Sequence, residues 1–436
     1  MTSANVVKQI PFNTDLSLGG LTSQESGLGL HGPNNVVFPT DAYVAHSQTP
    51  VTVTRNSNGI SQNPVNGDWT PVAIDEPAYG GVGIQIGRQK DNELNNSDIR
   101  AGVTGYVLTD TGGVVTIFTS EDSGIGESVK AIRLRMVNPG GGVETVTVHQ
   151  SKSGLINEYW TAQTSVKVLE EIAIPTTLIG VFDFTNTQLA TDTVPPTGDV
   201  FARGFATLQL DAGSADLRWQ LECVLPAFAT LDILITNNSL VNSSWQTHYI
   251  PSTVGPTTRE SDVVDVGATG FPFFIHLVDE MWSVDFSTLG VLTTLAGGES
   301  QLQYLFSSYS GVDGTNLFVD DVDTITWQAD FNGSLEDVSM TVAGLGIVPH
   351  RAYMRTLDDG AGGFDRELFV ENLVTGDITV SALLNTPNLP IQGDIMKIGR
   401  DDSDTNILDG YLGRLVFWGN RNNPSMNRIN DNWPTP

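Results

Sequence analysis

Hydrophobic and polar residues alternate with a period of two over many short stretches of this chain. Residues 217–224, Leu-Arg-Trp-Gln-Leu-Glu-Cys-Val, show the pattern. Such alternation predicts strands with one buried face. Gly, Pro and Asn separate the stretches, and Asn-Pro-Gly-Gly-Gly at 138–142 predicts a hairpin loop. Predicted strands cover residues 51–54, 114–119, 131–137, 143–150, 159–169, 204–210, 217–224, 231–236, 273–277, 302–308, 324–331, 338–342, 366–371, 396–399 and 412–418.

Short strands in close succession indicate a sandwich or a barrel, and helical periodicity is confined to a turn or two near residues 425–432. The pattern changes near residue 260, where the chain reads as extended. We therefore predict an all-β fold with almost no helix, in which an extended linker joins two β-sandwich (jelly-roll) domains. The predicted division is an assembly segment at 1–45, a first jelly roll at 46–250, a linker at 251–270 and a second jelly roll at 271–436.

Charge and cysteine content narrow the classes of function. The chain has 21 Lys and Arg against 50 Asp and Glu, a net charge of −29. This charge repels nucleic-acid phosphate, so we expect no nucleic-acid partner, and no apolar run is long enough to predict membrane insertion. The single cysteine, Cys223, lies among apolar residues and is expected in the core. No secretion signal is visible at the first residues, and we expect synthesis in a reducing cytoplasm.

Four segments of the chain form an ordered set of motifs: Val-Thr-Val-Thr-Arg-Asn-Ser-Asn-Gly at 51–59, residues 82–98, Arg-Trp-Gln-Leu-Glu at 218–222 with residues 249–264, and residues 398–418. In this order they resemble the modular layout of bacteriophage tail-fibre and related virion-appendage proteins. That layout has a jelly roll like a carbohydrate-binding module followed by a jelly roll like a laminin-G or concanavalin domain. One departure is the sequence Gly-Ile-Gln-Ile-Gly at 83–87, which lacks the carboxylate of the family pattern.

The resemblance implies a structural, non-enzymatic component of a virion, with a tail fibre or tail-associated protein as the first expectation. Such a protein would mediate assembly as a homo-oligomer, expected to be a trimer, would contact other virion proteins, and would attach to a host glycan. Two alternatives stay open: a capsid decoration or head-fibre protein, and a tailspike-type enzyme that degrades polysaccharide. For the enzyme, adjacent carboxylates such as Glu336 and Asp337 face opposite sides of a strand, so we predict no catalytic residue.

Metal and glycan contacts have separate candidates. Asp401, Asp402 and Asp404 present carboxylates at close spacing, and hard oxygen ligands suit calcium, although a solvated hairpin tip fits the same residues. No other cofactor is predicted.

Sugar rings stack on exposed aromatic side chains, which makes tryptophans the candidates for glycan contact. Trp219 and Trp418 fit a core position. The candidates are Trp69, Trp160, Trp245, Trp282, Trp327, Trp418 and Trp433.

Overall fold

The computed structural model confirms the predicted all-β fold, since strands are the only regular elements and no helix occurs in the residues it describes. Accordingly, none of these residues belongs to a helix long and apolar enough to cross a membrane. The predicted turn near 425–432 and the predicted strand at 273–277 lie outside the described residues. The structure describes residues 15–17, 34–37, 44–46, 51–57, 59–62, 69–75, 78–80, 83–124, 130–153, 159–173, 175–183, 188–193, 201–210, 216–244, 247–266, 280–289, 302–310, 313–320, 323–331, 333–345, 348–388, 395–404 and 406–418.

The strands follow one another along the chain with antiparallel pairing throughout the described residues. They are β1 (Asp15–Ser17), β2 (Asn34–Val37), β3 (Val44–His46), β4 (Val51–Thr54), β5 (Gly59–Gln62), β6 (Trp69–Val72), β7 (Tyr79–Gly80), β8 (Gly83–Ile86), β9 (Lys90–Asn92), β10 (Val107–Asp110), β11 (Val115–Asp122), β12 (Lys130–Val137), β13 (Glu144–Ser153), β14 (Tyr159–Ile172), β15 (Thr176–Asp183), β16 (Gln188–Thr193), β17 (Ala202–Gln209), β18 (Asp216–Leu225), β19 (Thr230–Asn242), β20 (Thr257–Arg259), β21 (Val263–Val266), β22 (Glu280–Thr288), β23 (Gln303–Ser310), β24 (Asp313–Val319), β25 (Thr324–Phe331), β26 (Ser334–Thr341), β27 (His350–Asp358), β28 (Phe364–Asn372), β29 (Ile378–Val380), β30 (Leu384–Thr386), β31 (Ile395–Ile398) and β32 (Gly410–Trp418).

The first sandwich packs a five-stranded sheet, in the order β10-β13-β18-β15-β16, against a sheet in the order β11-β12-β19-β14-β17. Strand β18 shows why these residues form a sandwich strand. Its alternate residues Leu217, Trp219, Leu221 and Cys223 are fully buried in the shared core. A strand with one apolar face gains stability only when that face meets another sheet. The predicted core positions of Trp219 and Cys223 are confirmed.

The second sandwich is assembled from both ends of the described chain. One sheet runs β26-β25-β24-β23-β31-β21-β4; the other runs β29-β28-β27-β22-β32-β8-β7, with β2 beside β32 and β30 beside β28. Its core holds Trp327, Phe286 and Phe306 between the two sheets, and Ile84 and Ile86 of β8 pack into the same core. Strands that precede the first sandwich in sequence are therefore structural parts of the second.

This strand pairing differs from the predicted division of the chain. Strands β4, β7 and β8 fall in the predicted first jelly roll, yet they complete the sheets of the second sandwich. The predicted linker at 251–270 contains β20, which pairs with β9, and β21, which pairs with β4 and β31. The first sandwich is thus inserted into the chain of the second. Alternation in a sequence marks a strand but does not reveal its partner, and these partners lie far away in sequence.

Strand β32 carries a bulge at Gly413 and Arg414. Leu412 pairs with Phe286 and Leu415 pairs with Val284, so two residues of β32 stand opposite one residue of β22. A bulge shifts the side-chain alternation by one position. The alternation of β32 is therefore not continuous across Gly413.

Candidate functional site

Two neighbouring segments, residues 87–98 and 247–262, carry the chain from the second sandwich into the first and back. Strands β9 and β20 in these segments pair with each other. The backbone NH of Ser97 donates to Ser252 Oγ at 3.1 Å, and the NH of Ser252 donates to Ser97 Oγ at 2.8 Å. Asn92 Nδ2 donates to the carbonyl of Ile250 at 2.7 Å. The two crossing segments are therefore tied to each other along their length.

Where these segments meet the second sandwich, Asp262 lies at the centre of a buried group of charges that we call the junction cluster: Arg55, Arg259 and Asp262. Arg55 Nη1 donates to Asp262 Oδ1 at 3.0 Å, and Arg259 Nη2 donates to Asp262 Oδ2. Gly87 and Asp262 exchange two further hydrogen bonds, from the NH of Gly87 to Oδ2 at 2.9 Å and from the NH of Asp262 to the carbonyl of Gly87 at 3.0 Å. One carboxylate thus joins β4, β8 and the segment after β20.

The guanidinium of Arg55 also orders the chain between β4 and β7. Its Nε donates to the carbonyl of Ser57 at 2.8 Å and its Nη2 to that of Ala73 at 3.1 Å. The backbone NH of Arg55 donates to Asp75 Oδ1 at 2.9 Å. A buried ion pair is tolerated only when additional hydrogen bonds satisfy its remaining donors, and the fork of Arg55 meets that requirement.

His248 also lies at this junction, and its imidazole ring is neutral. Its Nε2 lies 2.8 Å from the carbonyl of Ile86 and 3.1 Å from that of Gly410. Because a carbonyl oxygen only accepts, Nε2 carries the proton and donates to both. The imidazole ring packs edge to face against the ring of Tyr411, with the two ring centroids 5.2 Å apart. Burial, with the positive charge of Arg259, holds the pKa of His248 well below its ordinary value.

Arg88 adds a second link from the residues after β8 to the strands of the second sandwich. Its backbone NH donates to Asp409 Oδ1 at 2.9 Å. Its Nε donates to the carbonyl of Ile407 at 2.7 Å and its Nη2 to that of Leu302 at 3.0 Å. Arg88 therefore fixes the start of the crossing segment to the residues before β23 and β32.

The four segments that carry the family resemblance meet at this junction. Arg55 comes from the first segment, Gly87 and Arg88 from the second, Asp262 from the third and Asp409 from the fourth. The charged groups are buried and bonded to one another, so the arrangement can hold the two sandwiches together but presents no reactive surface.

A second candidate lies in the second sandwich, on the outer face of the sheet that runs β26-β25-β24-β23-β31-β21-β4. We call it the tyrosine face: Tyr304, Tyr309, Asn316, Phe318, Gln328 and Asp330. Because Leu317, Trp327 and Ala329 point into the core, the alternate residues of β24 and β25 point outward. Tyr304 and Phe318 are cross-strand partners, and their rings stack with the centroids 5.0 Å apart.

The ring of Tyr309 lies across Gly314 of the next strand. A Cβ atom added at Gly314 would stand 2.5 Å from Tyr309 Cδ2, so the ring occupies the space that any other residue would fill. Asn316 Nδ2 donates to Tyr309 Oη at 3.0 Å and lies 3.3 Å from Gln328 Oε1. Burial and the charge of Asp330 raise the pKa of Tyr309 to about 12, which keeps the phenol neutral.

The outer face of the five-stranded sheet of the first sandwich has a different character. Arg218, Gln220 and Glu222 alternate with the buried residues of β18. Arg218 Nη1 lies 3.5 Å from Gln220 Oε1, and Gln220 Nε2 donates to Glu222 Oε2 at 3.3 Å. Burial and the charge of Arg218 lower the pKa of the neighbouring His149. This face is a line of mutually paired polar groups.

The predicted calcium ligands point to different partners. Asp401 Oδ2 accepts hydrogen bonds from Ser403 Oγ and Asn406 Nδ2, each at 2.8 Å. Asp404 pairs with Arg400 and with Lys397, and Asp402 pairs with Lys397. Among the described residues, no three His, Cys, Asp or Glu are arranged to hold a metal ion. The calcium site at Asp401, Asp402 and Asp404 stays a prediction.

The predicted aromatic candidates fall into two groups. Trp160 and Trp327 are buried in the two cores, which removes them as surfaces for a sugar. Trp245 and Trp433 lie outside the described residues; the side chains of Trp69, Trp282 and Trp418 do as well. Sequence reasoning that considered only tryptophan missed Tyr309, whose signal was its position between Ser308 and Ser310 in a strand followed by Gly314.

No family model matches the chain, and no curated protein matches it. Among solved structures, a Ruminococcus gnavus IT-sialidase CBM40 bound to alpha2,3 sialyllactose is 15% identical with a TM-score of 0.27, over 35% of this chain and 80% of that one. Domains LG4-5 of the mouse laminin alpha1 chain are 10% identical with a TM-score of 0.25, over 62% and 85%. The CBM22-1-CBM22-2 tandem of Paenibacillus barcinonensis Xyn10C is 12% identical with a TM-score of 0.25, over 76% and 98%. At such TM-scores, none of these likenesses identifies the fold or the ligand of this chain.

Proposed function

We propose that this chain is a structural, non-enzymatic component of a bacteriophage virion, a tail fibre or tail-associated protein that mediates assembly and attaches to host glycan. The junction carries the proposal. The segments that resemble tail-appendage modules supply the contacts of Asp262 with Arg55 and Gly87 and the contact of Arg88 with Asp409. The resemblance therefore rests on residues that perform one mechanical task, which is to keep two sandwiches in a fixed arrangement.

A fixed arrangement suits a particle component that transmits force between its attachment point and a cell surface. The acidic composition is consistent with this role, because like charge keeps a repetitive assembly soluble. We further propose a homo-oligomer, with three copies as the expected state, that contacts other virion proteins after synthesis in the host cytoplasm. Apolar contact between copies would have to offset the mutual repulsion of the acidic chains.

Gold-labelled antibody on intact phage particles tests the virion role. Label at the tail is the expected result. Label over the head would favour a capsid decoration protein over a tail fibre, and particles without label would exclude a virion component.

Sedimentation of the purified chain tests the trimer, which a monomer mass would exclude. Incubation with host polysaccharide tests the non-enzymatic role, because release of reducing ends would show a tailspike-type hydrolase instead.

A further inference from the structure

The tyrosine face contains an aromatic ring that is held in place before any ligand arrives. Tyr309 rests on Gly314 along its ring and is bonded to Asn316 at its hydroxyl. Asn316 is itself almost fully buried and aligned by Gln328. A ring fixed at both ends loses little conformational freedom when a ligand covers it, which favours binding.

Hydrogen-bonding groups border this ring on the same face. Gln328 is the cross-strand partner of Asn316, and Asp330 is the partner of Gly314. Asp330 Oδ1 and Asn316 Oδ1 are buried beside the ring, and within the described residues no donor reaches either atom. A flat apolar surface bordered by amide and carboxylate groups is complementary to a pyranose ring, which has an apolar C–H face and hydroxyl groups at its edge.

The charges around the ring are mainly acidic, and Lys397 of β31, the cross-strand partner of Ser307 on this face, is itself paired with Asp402 and Asp404. Asp330 lies on β25, and the exposed Asp337 of the neighbouring β26 is the cross-strand partner of Gln328. Burial raises the pKa of Tyr309, and the charges of Asp330 and Asp402 raise it further. Asp401 and Asp337 act in the same direction on Tyr304. A ligand with carboxylate, sulfate or phosphate groups would be repelled here, whereas the hydroxyl groups of a neutral sugar can donate to these carboxylates.

We propose that the tyrosine face binds a neutral, hydroxyl-rich glycan, with a sugar ring stacked on Tyr309 and hydrogen bonds to Gln328 and Asp330. This inference deepens the proposed function and rests on its glycan-attachment part. Along β24, Phe318 lies four residues from Gly314, roughly 13 Å at the rise of a strand. The stacked pair of Tyr304 and Phe318 therefore extends the face beyond the width of a single sugar ring.

Glycan arrays and calorimetry with the 436-residue chain test the site. The ligands compared are neutral oligosaccharides and sialylated, uronate-containing and sulfated ones. Tyr309→Ala should weaken binding of the neutral ligand roughly tenfold or more, whereas Tyr309→Phe, which keeps the ring, should retain most of it. Phe228→Ala is the matched control, because Phe228 is an exposed aromatic residue of the first sandwich. Asp330→Asn should weaken the discrimination against acidic glycans.

Three results would overturn the site: no neutral glycan bound by the wild-type chain, unchanged binding by Tyr309→Ala, or a preference for acidic glycans. A change of oligomeric mass in Tyr309→Ala without a change in binding would assign the face to contact between copies. Failure of the site is distinguishable from failure of the proposed function by competition of the soluble chain with phage adsorption. If wild type and Tyr309→Ala block adsorption equally, the attachment role stands and this site does not.

Discussion

Arginine meets aspartate in two contrasting places in this protein, the junction cluster and the loop at residues 400–406. In the junction, the side chains of Arg55 and Asp262 are 0% and 1% exposed. In the loop, Arg400 is 4% exposed, but its partner Asp404 is 53% exposed and is shared with Lys397. The two pairs join the same types of residue and differ in the exposure of the aspartate to solvent. Loss of the aspartate leaves buried arginines without their carboxylate in the junction, whereas in the loop Arg400 keeps Asp265 as a second partner.

The largest effect is expected from Asp262→Ala. The substitution leaves Arg55 and Arg259 without their shared carboxylate and leaves the NH of Gly87 without an acceptor. Breaking a buried pair in this way costs about 3–5 kcal/mol of unfolding free energy, measurable by denaturant unfolding. Asp402→Ala, at an exposed carboxylate of the loop, is the control and should change stability little. Equal losses in the two variants would contradict the difference in burial.

Gly87→Ala should have the next largest effect, because it crowds the junction cluster without removing a charge. A Cβ atom at this position would stand 2.8 Å from His248 Cδ2 and would also clash with Arg259 Nη1. Overpacking of this kind costs about 1–3 kcal/mol, read from the shift of the unfolding midpoint. Gly255→Ala is the matched control, since its nearest neighbour would be 3.9 Å away. A tolerated Gly87→Ala would show that the junction can expand.

The pH dependence of stability should report on His248. Its pKa in the folded chain is lowered by burial and by Arg259, so the unfolded chain binds more protons once the pH falls below the ordinary histidine value of about 6.5. Stability is therefore complete above that pH and declines below it, by at most about 1.4 kcal/mol per pH unit. Unfolding midpoints of wild type and His248→Gln, compared over this range, isolate the contribution. Identical slopes would mean that His248 takes up its proton equally in the folded and the unfolded chain.

The sequence was informative about local structure because local structure depends on neighbouring residues. The apolar residues of β18 predicted the burial of Trp219 and Cys223. The junction was not predictable in this way. Arg55 and Asp262 are 207 residues apart, and no local period reports that β4 pairs with β21. The tyrosine face was missed for the same reason, because Tyr309 is positioned by a glycine on another strand.

The smallest effect is expected from Asp404→Ala, which completes the comparison with the junction. Asp404 is half exposed, Lys397 keeps Asp402 as a partner and Arg400 keeps Asp265, so the loss should not exceed about 1 kcal/mol. Because Lys397 and Arg400 already neutralise this carboxylate, added calcium should leave the thermal midpoint of the wild-type chain unchanged. A calcium-dependent rise in the midpoint that Asp404→Ala abolishes would show the opposite. The carboxylates of Asp401, Asp402 and Asp404 would then leave their present partners and converge on the metal, as the sequence predicts.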